Sequence, residues 1–455
     1  MTYSNWNNIE SKIREKLTLD SAHPLLAETF LKNVRAVYDG NTGLIKESDI
    51  NPADNLPDYV DLAKPDETEC RQILKNSVMI KLNGGLGTSM GLEKAKSLLP
   101  VKNGLTFIDI IARQILYLRN RYQADMPLLF MTSFNTDCDT KTALQQYPEL
   151  AAGQNNLPFT FLQNRVPKLH SDTLHPATWN NDPNLEWCPP GHGDIYTALM
   201  TSGLLEQLVK DGYRYAFVSN SDNLGAVMDP AISCMMQSQN IPFLLEVADR
   251  TEADRKGGHL ATSIRTGQLI LRESAQCPPD AVGQFQDVKR HRYFNTNNLW
   301  IDLTVLNALI RETGSAPELA PMINRKTLDP RNGASPSVIQ LETAMGAAVT
   351  SFKKAVALRV PRTRFAPVKT TDDLLGLWSD AYVLTEEMHI RLDSRRAEWG
   401  PPVIRLDPAY YRKIDDFSAR FPHGAPSLVE CRSLTVKGDH SFPGGLVLKG
   451  DVVYE

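Results

Sequence analysis

Apolar residues recur with helical spacing near the start of the chain. The stripe consists of Leu25, Leu26, Phe30, Leu31, Val34 and Val37. It ends at Asp39, Gly40 and Asn41, which are residue types typical of turns. Because positions three and four apart share one face of a helix, the spacing predicts a helical segment over residues 1 to about 38 that packs on the rest of the protein.

From residue 78 onward, short apolar runs alternate with helical patterns. The runs that predict buried strands are 78–82, 128–132, 159–162, 216–219 and 243–247. One helix is predicted to begin after Thr106, because Asp109 completes a capping box, and another is predicted over 195–208. The alternation indicates an α/β fold with a doubly wound mixed sheet, in which ligands bind at the carboxyl ends of strands.

The last 30 residues follow a different period. One register of six holds Leu428, Leu434, Leu446 and Val452 and is broken at His440, and a second holds Val436, Phe442, Leu448 and Tyr454. A six-residue repeat is typical of a parallel β-helix, and roughly five such repeats make fewer than two full coils. We therefore expect this element to dock on the rest of the chain or on another subunit.

Composition narrows the class of protein. The 455 residues include 49 basic and 53 acidic side chains, a net charge of −4 that favours neither nucleic acid nor an anionic membrane as a partner. The six cysteines lack C-x-x-C spacing, which argues against a zinc site and a disulfide framework. The length of the chain predicts more than one domain. No signal peptide and no apolar run of about 20 residues is evident, so we expect a cytoplasmic protein.

The segment from Val78 to Ser97 carries the chemistry that the sequence shows best. An apolar strand leads into Gly84, Gly85, Gly87 and Gly91, and Lys96 follows. Glycines let backbone N–H groups approach an anion, and lysine adds a positive charge, so the loop predicts a phosphate site. Its spacing matches neither the dinucleotide-binding loop nor the P-loop, which disfavours hydride transfer and P-loop ATPase chemistry.

Seven segments, in order along most of the chain, resemble the UTP–glucose-1-phosphate uridylyltransferase family of the eukaryotic type. Besides the glycine loop, they are Phe161–Gln163, Pro190–Asp194, Ser219–Gly225, Phe294–Trp300, Gln340–Gly346 and Val360–Lys369. The resemblance implies a GT-A/Rossmann-like nucleotidyltransferase domain and a left-handed β-helix at the C-terminus, shortened here, through which eukaryotic members assemble. We expect an N-terminal helical segment over 1–50, a catalytic domain over 51–385, and a linker with the β-helix over 386–455.

The resemblance also implies a reaction and its residues. A phosphate oxygen of glucose 1-phosphate attacks the α-phosphorus of UTP, with Mg²⁺ as cofactor, and pyrophosphate leaves. The implied catalytic residues are Lys96, Lys369 and His192, and the implied metal ligand is Asp222. The implied nucleotide-binding residues are Leu82, Asn83, Gly84, Gly85, Gln163 and Gly191. The implied sugar-binding residues are His192, Asn220, Asn298, Glu342 and Thr343.

Each of these residues also has an ordinary structural interpretation. Lys96 fits a solvated lysine, Lys369 a basic surface loop, and Asp222 a turn that caps a strand. Ion pairing is an equally good interpretation of Arg362 and Arg364. Two other functions stay open: a pyrophosphorylase for N-acetylhexosamine 1-phosphate or several sugar phosphates, and a binding protein without catalysis. Two lysines together with an acidic residue argue against the binding protein, which needs no charge aimed at pyrophosphate.

Overall fold

The computed structural model describes residues 5–455 and shows a mixed α/β protein. Its α-helices are Trp6–Leu19, Pro24–Tyr38, Glu67–Lys75, Phe107–Tyr122, Asp137–Leu144, Ile195–Thr201, Leu204–Lys210, Pro230–Gln239, Val282–Phe285, Leu303–Thr313, Thr371–Trp378, Pro408–Tyr411 and Ile414–Arg420. Its strands are Ile50–Pro52, Ser77–Asn83, Pro100–Lys102, Leu105–Thr106, Leu128–Thr132, Thr160–Leu162, Val166–Pro167, Leu169–His170, Trp187–Cys188, Tyr215–Asn220, Phe243–Asp249, His259–Ser263, Leu269–Arg272, Tyr293–Asp302, Met322–Thr327, Ser337–Glu342, Val356–Arg359, Tyr382–Leu384, Ile390–Leu392, Val403–Leu406, Cys431–Val436 and Gly450–Tyr454. Among the residues described, no helix combines the length and apolar character needed to cross a membrane.

The described chain forms two compact units, each built from three stretches of sequence. The first contains the described residues up to Lys64, together with Phe161–Val218 and Ala231–Val360. The second contains Pro65–Thr160, Ser219–Pro230 and Pro361–Glu455. The expected domain boundaries near residues 50 and 385 stay a prediction.

Two helices occupy the N-terminal part of the first unit. The predicted apolar stripe lies on the second helix, where all of its members except the half-buried Leu25 are buried. The chain breaks between the helices because Pro24 starts the second one and the His23 side chain accepts a hydrogen bond from the Leu25 N–H. Residues 1–4 of the predicted segment lie outside the described residues.

A mixed sheet forms the core of the first unit. Its long strand, Tyr293–Asp302, pairs antiparallel with Tyr215–Asn220 on one side and with Phe243–Asp249 on the other. The latter strand pairs in parallel with Val356–Arg359. Trp300 is fully buried, and its ring lies 4.4 Å from that of Phe217 between centroids. The strands predicted at 216–219 and 243–247 are thus confirmed.

The second unit contains the strand that leads into the glycine loop. Ser77–Asn83 pairs in parallel with Leu128–Thr132, and every residue of both strands is buried. The helix Phe107–Tyr122 follows the predicted capping box of Thr106 and Asp109. Burial on both faces explains why these strands have continuous apolar runs rather than alternation.

The helix predicted over 195–208 is wrong as a single element. The structure has Ile195–Thr201 and Leu204–Lys210, separated at Gly203. Gly203 has φ +74°, in the left-handed region that ends helices and that glycine adopts at little cost. The apolar spacing continues across the break, so periodicity alone does not reveal it.

Parallel strands near the C-terminus follow the six-residue pattern. Cys431–Val436 pairs with Gly450–Tyr454 so that Leu434 lies opposite Val452, eighteen residues further along the chain. Val403–Leu406 adds a third parallel strand. The buried Arg396 guanidinium donates to the carbonyls of Leu428, Val429 and Cys431, and these bonds anchor the start of the element.

Buried charges connect Glu47 to the core of the first unit. Its carboxylate accepts hydrogen bonds from Arg272 at 2.6 Å, Arg290 at 2.7 Å and the His291 ring at 2.9 Å. Burial alone would raise the pKa of Glu47, but these bonds outweigh burial and lower the pKa to about 2. The His259 ring stacks on His291 with 3.8 Å between centroids, and burial lowers the pKa of both histidines, that of His259 to about 2.

This cluster predicts loss of stability in mild acid. Unfolded histidine binds a proton near pH 6.5, whereas buried His259 does not, so the stability it contributes is complete above that pH and falls below it. His259→Phe keeps an aromatic ring there, and we expect its melting temperature to decline less steeply than the parent's between pH 6.5 and about 4.5. Thermal unfolding across this range measures the slopes, with exposed His423→Phe as control. Equal slopes in parent and His259→Phe would contradict the prediction.

Candidate functional site

The glycine loop folds back on itself directly after its strand. Gly87 and Gly91 have φ of +73° and +75°, and a single helical turn, Thr88–Met90, lies between them. The Lys96 N–H donates to the Gly85 carbonyl at 3.2 Å. A Cβ on Gly87 would lie 3.2 Å from Cγ of Lys96, and its positive φ favours glycine at this position. The loop therefore brings the lysine side chain against the turn that its glycines form.

Hydroxyl and amide groups hold the start of the loop. The Asn83 amide donates to Thr140 and accepts from the Ser221 hydroxyl, both at 2.9 Å. The Ser133 hydroxyl donates to the Gly84 carbonyl at 2.9 Å. Asn83 is buried, and both polar atoms of its side chain have partners in the protein. Its predicted contact with nucleotide stays a prediction, while its role in fixing the loop is visible.

An ion pair links the glycine loop to the segment after the strand Tyr215–Asn220. The Lys96 ammonium lies 2.6 Å from a carboxylate oxygen of Asp222, and both side chains are mostly buried. The Ser221 N–H donates to the Leu82 carbonyl, which places this segment beside the strand that ends at the loop. The structure thus brings together the predicted catalytic lysine and the predicted metal ligand.

The residue before Lys369 is bonded to the backbone of Asp222. The Val368 N–H donates to the Asp222 carbonyl at 3.2 Å, and the Lys369 N–H donates to Asp373 at 2.7 Å. Its ammonium lies 5.9 Å from the centroid of the Phe365 ring. Backbone bonds on both sides therefore fix where the Lys369 side chain starts. Lys96 and Asp222 form an ion pair, and Lys369 follows the residue that is bonded to the Asp222 backbone. We call these three residues of the second unit the charged cluster.

The nearby arginine Arg364 has a structural role. It is buried, lies 3.6 Å from Asp229, and donates to the Val227 carbonyl at 2.8 Å. Of the two interpretations that the sequence left open for Arg364, ion pairing is the one that the structure shows.

In the first unit, two loops that carry predicted residues are bonded to each other. The Thr343 N–H donates to the Pro190 carbonyl, and the Gly193 N–H donates to the Thr343 carbonyl, both at 2.8 Å. Gly191, with φ +84°, lies between these bonds, and a Cβ there would be 2.5 Å from the Thr343 carbonyl oxygen. The structure therefore places Gly191 and His192 beside Glu342 and Thr343, as one polar cluster.

The close approach at Gly191 predicts a large effect of one added methyl group. Gly191→Ala introduces backbone strain at positive φ and a clash with Thr343, whereas Gly212→Ala introduces strain alone, because no atom lies within 4 Å of its Cβ. We expect Gly212→Ala to lower the free energy of unfolding by about 1–2 kcal/mol and Gly191→Ala to lower it by more. Denaturant unfolding of both variants measures this difference. Equal losses would show that the loop accommodates the methyl group.

His192 is held as a neutral imidazole. Its Nδ1 accepts a hydrogen bond from the Met345 N–H at 3.0 Å, and burial lowers the pKa of the ring to about 4. At neutral pH the ring proton is therefore on Nε2, which can donate to an acceptor oxygen. The ring suits hydrogen bonding to a phosphate or a hydroxyl better than transfer of a proton.

The polar cluster is connected to Gln163 through a residue that sequence analysis did not assign. The Asp194 carboxylate accepts from the Asn164 N–H at 2.6 Å and from its side-chain amide at 2.9 Å. Burial raises the pKa of Asp194 to about 7, although the bonds from Asn164 oppose this shift. Gln163, which is half-buried, directly precedes Asn164. The acidic residue directly after Gly-His-Gly was the available indication of this connection.

The other two predicted sugar-binding residues are Asn298 and Asn220. Asn298 is completely buried, and its amide donates to Glu246 at 3.0 Å. Glu246 also accepts from the Trp300 indole at 2.8 Å. Asn220 is half-buried at the end of its strand and belongs to the second unit. Sugar contacts by Asn298 and Asn220 stay predictions.

A family model described as UTP–glucose-1-phosphate uridylyltransferase matches residues 27–449. The chain belongs to this family. It is 40% identical to a probable UTP–glucose-1-phosphate uridylyltransferase of Schizosaccharomyces pombe over 84% of this chain and 74% of that protein. The protein is accordingly a nucleotidyltransferase.

Solved structures of the family share the fold. A variant UDP-glucose pyrophosphorylase of Leishmania major, in complex with UDP-glucose, superimposes with a TM-score of 0.91 at 46% identity, over 98% of this chain and 94% of that one. A UDP-glucose phosphorylase of Trypanosoma brucei gives 0.89 at 43% identity, with the same coverage. These matches confirm the mixed α/β fold.

Proposed function

We propose that the protein joins UTP and glucose 1-phosphate into UDP-glucose and pyrophosphate, with Lys96 and Lys369 neutralising charge on the phosphates. The observation that carries the proposal is the cluster in the second unit, where the Lys96 ammonium lies 2.6 Å from Asp222 and Lys369 follows a residue bonded to Asp222. Family membership supports the substrates, because the curated relatives have the name of this activity.

The reaction needs positioning and charge rather than a protein nucleophile. A phosphate oxygen of glucose 1-phosphate attacks the α-phosphorus of UTP, a new P–O bond forms, and the bond to the bridging oxygen breaks. The electron pair of that bond leaves with pyrophosphate, whose developing charge the two lysines stabilise. His192, neutral and with its proton on Nε2, donates to the sugar phosphate. Gln163 has the donor and the acceptor that the uracil edge requires.

Asp222 fits Mg²⁺ as its protein ligand. The carboxylate is partly exposed and supplies hard oxygen donors, and Mg²⁺ usually takes its other ligands from water and substrate phosphates. When bound, the ion neutralises phosphate charge and orients the groups that react. A set of three or more His, Cys, Asp or Glu arranged for a metal does not occur within residues 5–455. The proposed site therefore has one protein carboxylate, and substrate and water supply the other ligands of the ion.

Two further proposals concern the C-terminus and the location. We propose that the parallel strands after residue 403 belong to a short left-handed β-helix and that copies of the chain associate through it. The eighteen-residue offset between paired strands supports a coil of three six-residue repeats. Sedimentation of the full chain measures whether copies associate.

We also propose a cytoplasmic location, because the spacing of the six cysteines does not indicate a disulfide framework.

Pyrophosphate release from UTP and Mg²⁺ tests the function. Glucose 1-phosphate, galactose 1-phosphate and N-acetylglucosamine 1-phosphate are compared, with dTTP and ATP as competing nucleotides. We expect strong preference for UTP with glucose 1-phosphate, because the relatives have that activity in their names. Dominant activity with another sugar phosphate would change the assigned substrate and leave the proposed mechanism in place. If no sugar phosphate gives pyrophosphate release, while UDP-glucose still binds, the result would favour a binding protein.

A further inference from the structure

The reaction described above assigns no ligand to a cavity that Lys369 lines. This cavity lies within the second unit and has a volume of about 450 Å³, within the range of small-molecule sites. Ser89 and Met90 of the glycine loop form one wall, and Lys369 and Thr370 form another. Arg412, which comes from the C-terminal part of the chain, adds a second cation.

Arg412 is in direct contact with the glycine loop. Its Nε donates to the Ser89 carbonyl at 3.3 Å. The next residue, Lys413, lies against the same loop, since a Cβ on Gly91 would be 3.4 Å from its Cγ. Arg412 is exposed, so its guanidinium has donors beyond Nε that can bind a ligand in the cavity.

The lining favours an anion of high charge. Two cations and the Ser89 hydroxyl line the cavity and can donate to phosphate oxygens. The hydroxyls of Thr370 and Thr371 also line it, but they donate to Asp373 and to the Tyr411 carbonyl. Asp372 is the acidic residue of the lining, and it accepts a hydrogen bond from the Leu406 N–H at 3.3 Å. Burial raises the pKa of Asp372 to about 6, which reduces its repulsion of an anion below that pH.

We propose that this cavity binds the pyrophosphate that leaves UTP, with Arg412 as a binding residue for its phosphate groups. The assignment rests on the proposed function, since that reaction produces pyrophosphate. The position of Lys369 supports it, because Lys369 lines the cavity and also follows the residue bonded to Asp222. Pyrophosphate that enters the cavity therefore meets the side chains of Lys369 and Arg412.

The reverse reaction, in which pyrophosphate and UDP-glucose give UTP and glucose 1-phosphate, tests the assignment. Arg412→Gln removes the charge but keeps a donor for the Ser89 carbonyl. We expect the KM for pyrophosphate to rise about tenfold, the scale of one charge-assisted hydrogen bond, while the KM for UDP-glucose changes less than twofold. Arg412→Lys should recover part of the loss. Arg405→Gln, an exposed arginine on the strand Val403–Leu406, is the matched control.

The outcomes separate binding from support of the loop. If Arg412 only holds the loop, both KM values rise together, and that result would overturn the proposal, as would an unchanged KM for pyrophosphate. Calorimetric titration of pyrophosphate with Mg²⁺ gives a readout without turnover: the parent binds and Arg412→Gln binds about tenfold more weakly. A parent that binds pyrophosphate but lacks turnover would contradict the proposed function and leave the cavity assignment standing. A parent that does not bind pyrophosphate would remove the cavity assignment.

Discussion

Lys369→Ala is expected to lower turnover by about 10²–10³-fold, the scale of losing one preorganised group that stabilises charge in the transition state. The backbone around Lys369 is fixed before substrate binds, through the Val368 bond to Asp222 and the Lys369 bond to Asp373. A lysine on a flexible backbone would lose part of its interaction free energy to the ordering of that backbone. Because the backbone at Lys369 is already fixed, removal of the side chain directly reduces stabilisation of the transition state.

The measurement is kcat for pyrophosphate release at saturating UTP and glucose 1-phosphate. Lys449→Ala, which removes an exposed lysine paired with Glu430, is the control for loss of one positive charge. Denaturant unfolding of both variants checks that each remains folded. Turnover of Lys369→Ala within threefold of the parent would remove Lys369 from the mechanism.

The regular parts of the fold could be predicted because their information is local. The strand Ser77–Asn83 and the helix Phe107–Tyr122 have apolar spacing and capping residues that act within a few positions. The glycine loop follows the same rule, since Gly87 and Gly91 adopt the left-handed conformation that glycine favours. Ligand residues at strand ends then follow from the general geometry of α/β sheets.

Contacts between distant parts of the sequence could not be predicted in this way. Arg412 contacts Ser89 across 323 positions, and no motif surrounds it. The sequence also did not show that the Asn298 amide donates to Glu246, which is buried in the neighbouring strand. A polar residue in a motif can bind ligand or hold the protein together, and the partner that decides between them lies far away in sequence.

Asp222→Asn is expected to lower turnover by about 10²-fold and to raise the Mg²⁺ concentration needed for half-maximal activity. The amide keeps the size of the side chain but removes the negative charge, which a hard cation prefers in its ligand. It also weakens the pairing with Lys96, whose ammonium lies 2.6 Å away. Turnover as a function of Mg²⁺ concentration measures both effects, with exposed Asp125→Asn as control.

A double variant decides whether Asp222 acts through the metal or only through Lys96. If its sole function is to hold Lys96, then Asp222→Asn has no further effect in a Lys96→Met background, because the partner is already gone. We expect the Mg²⁺ dependence to shift in that background too, since the carboxylate binds the ion independently of the lysine. An unchanged Mg²⁺ dependence in both backgrounds would make Asp222 a positioning residue for Lys96, and the metal would then need another ligand.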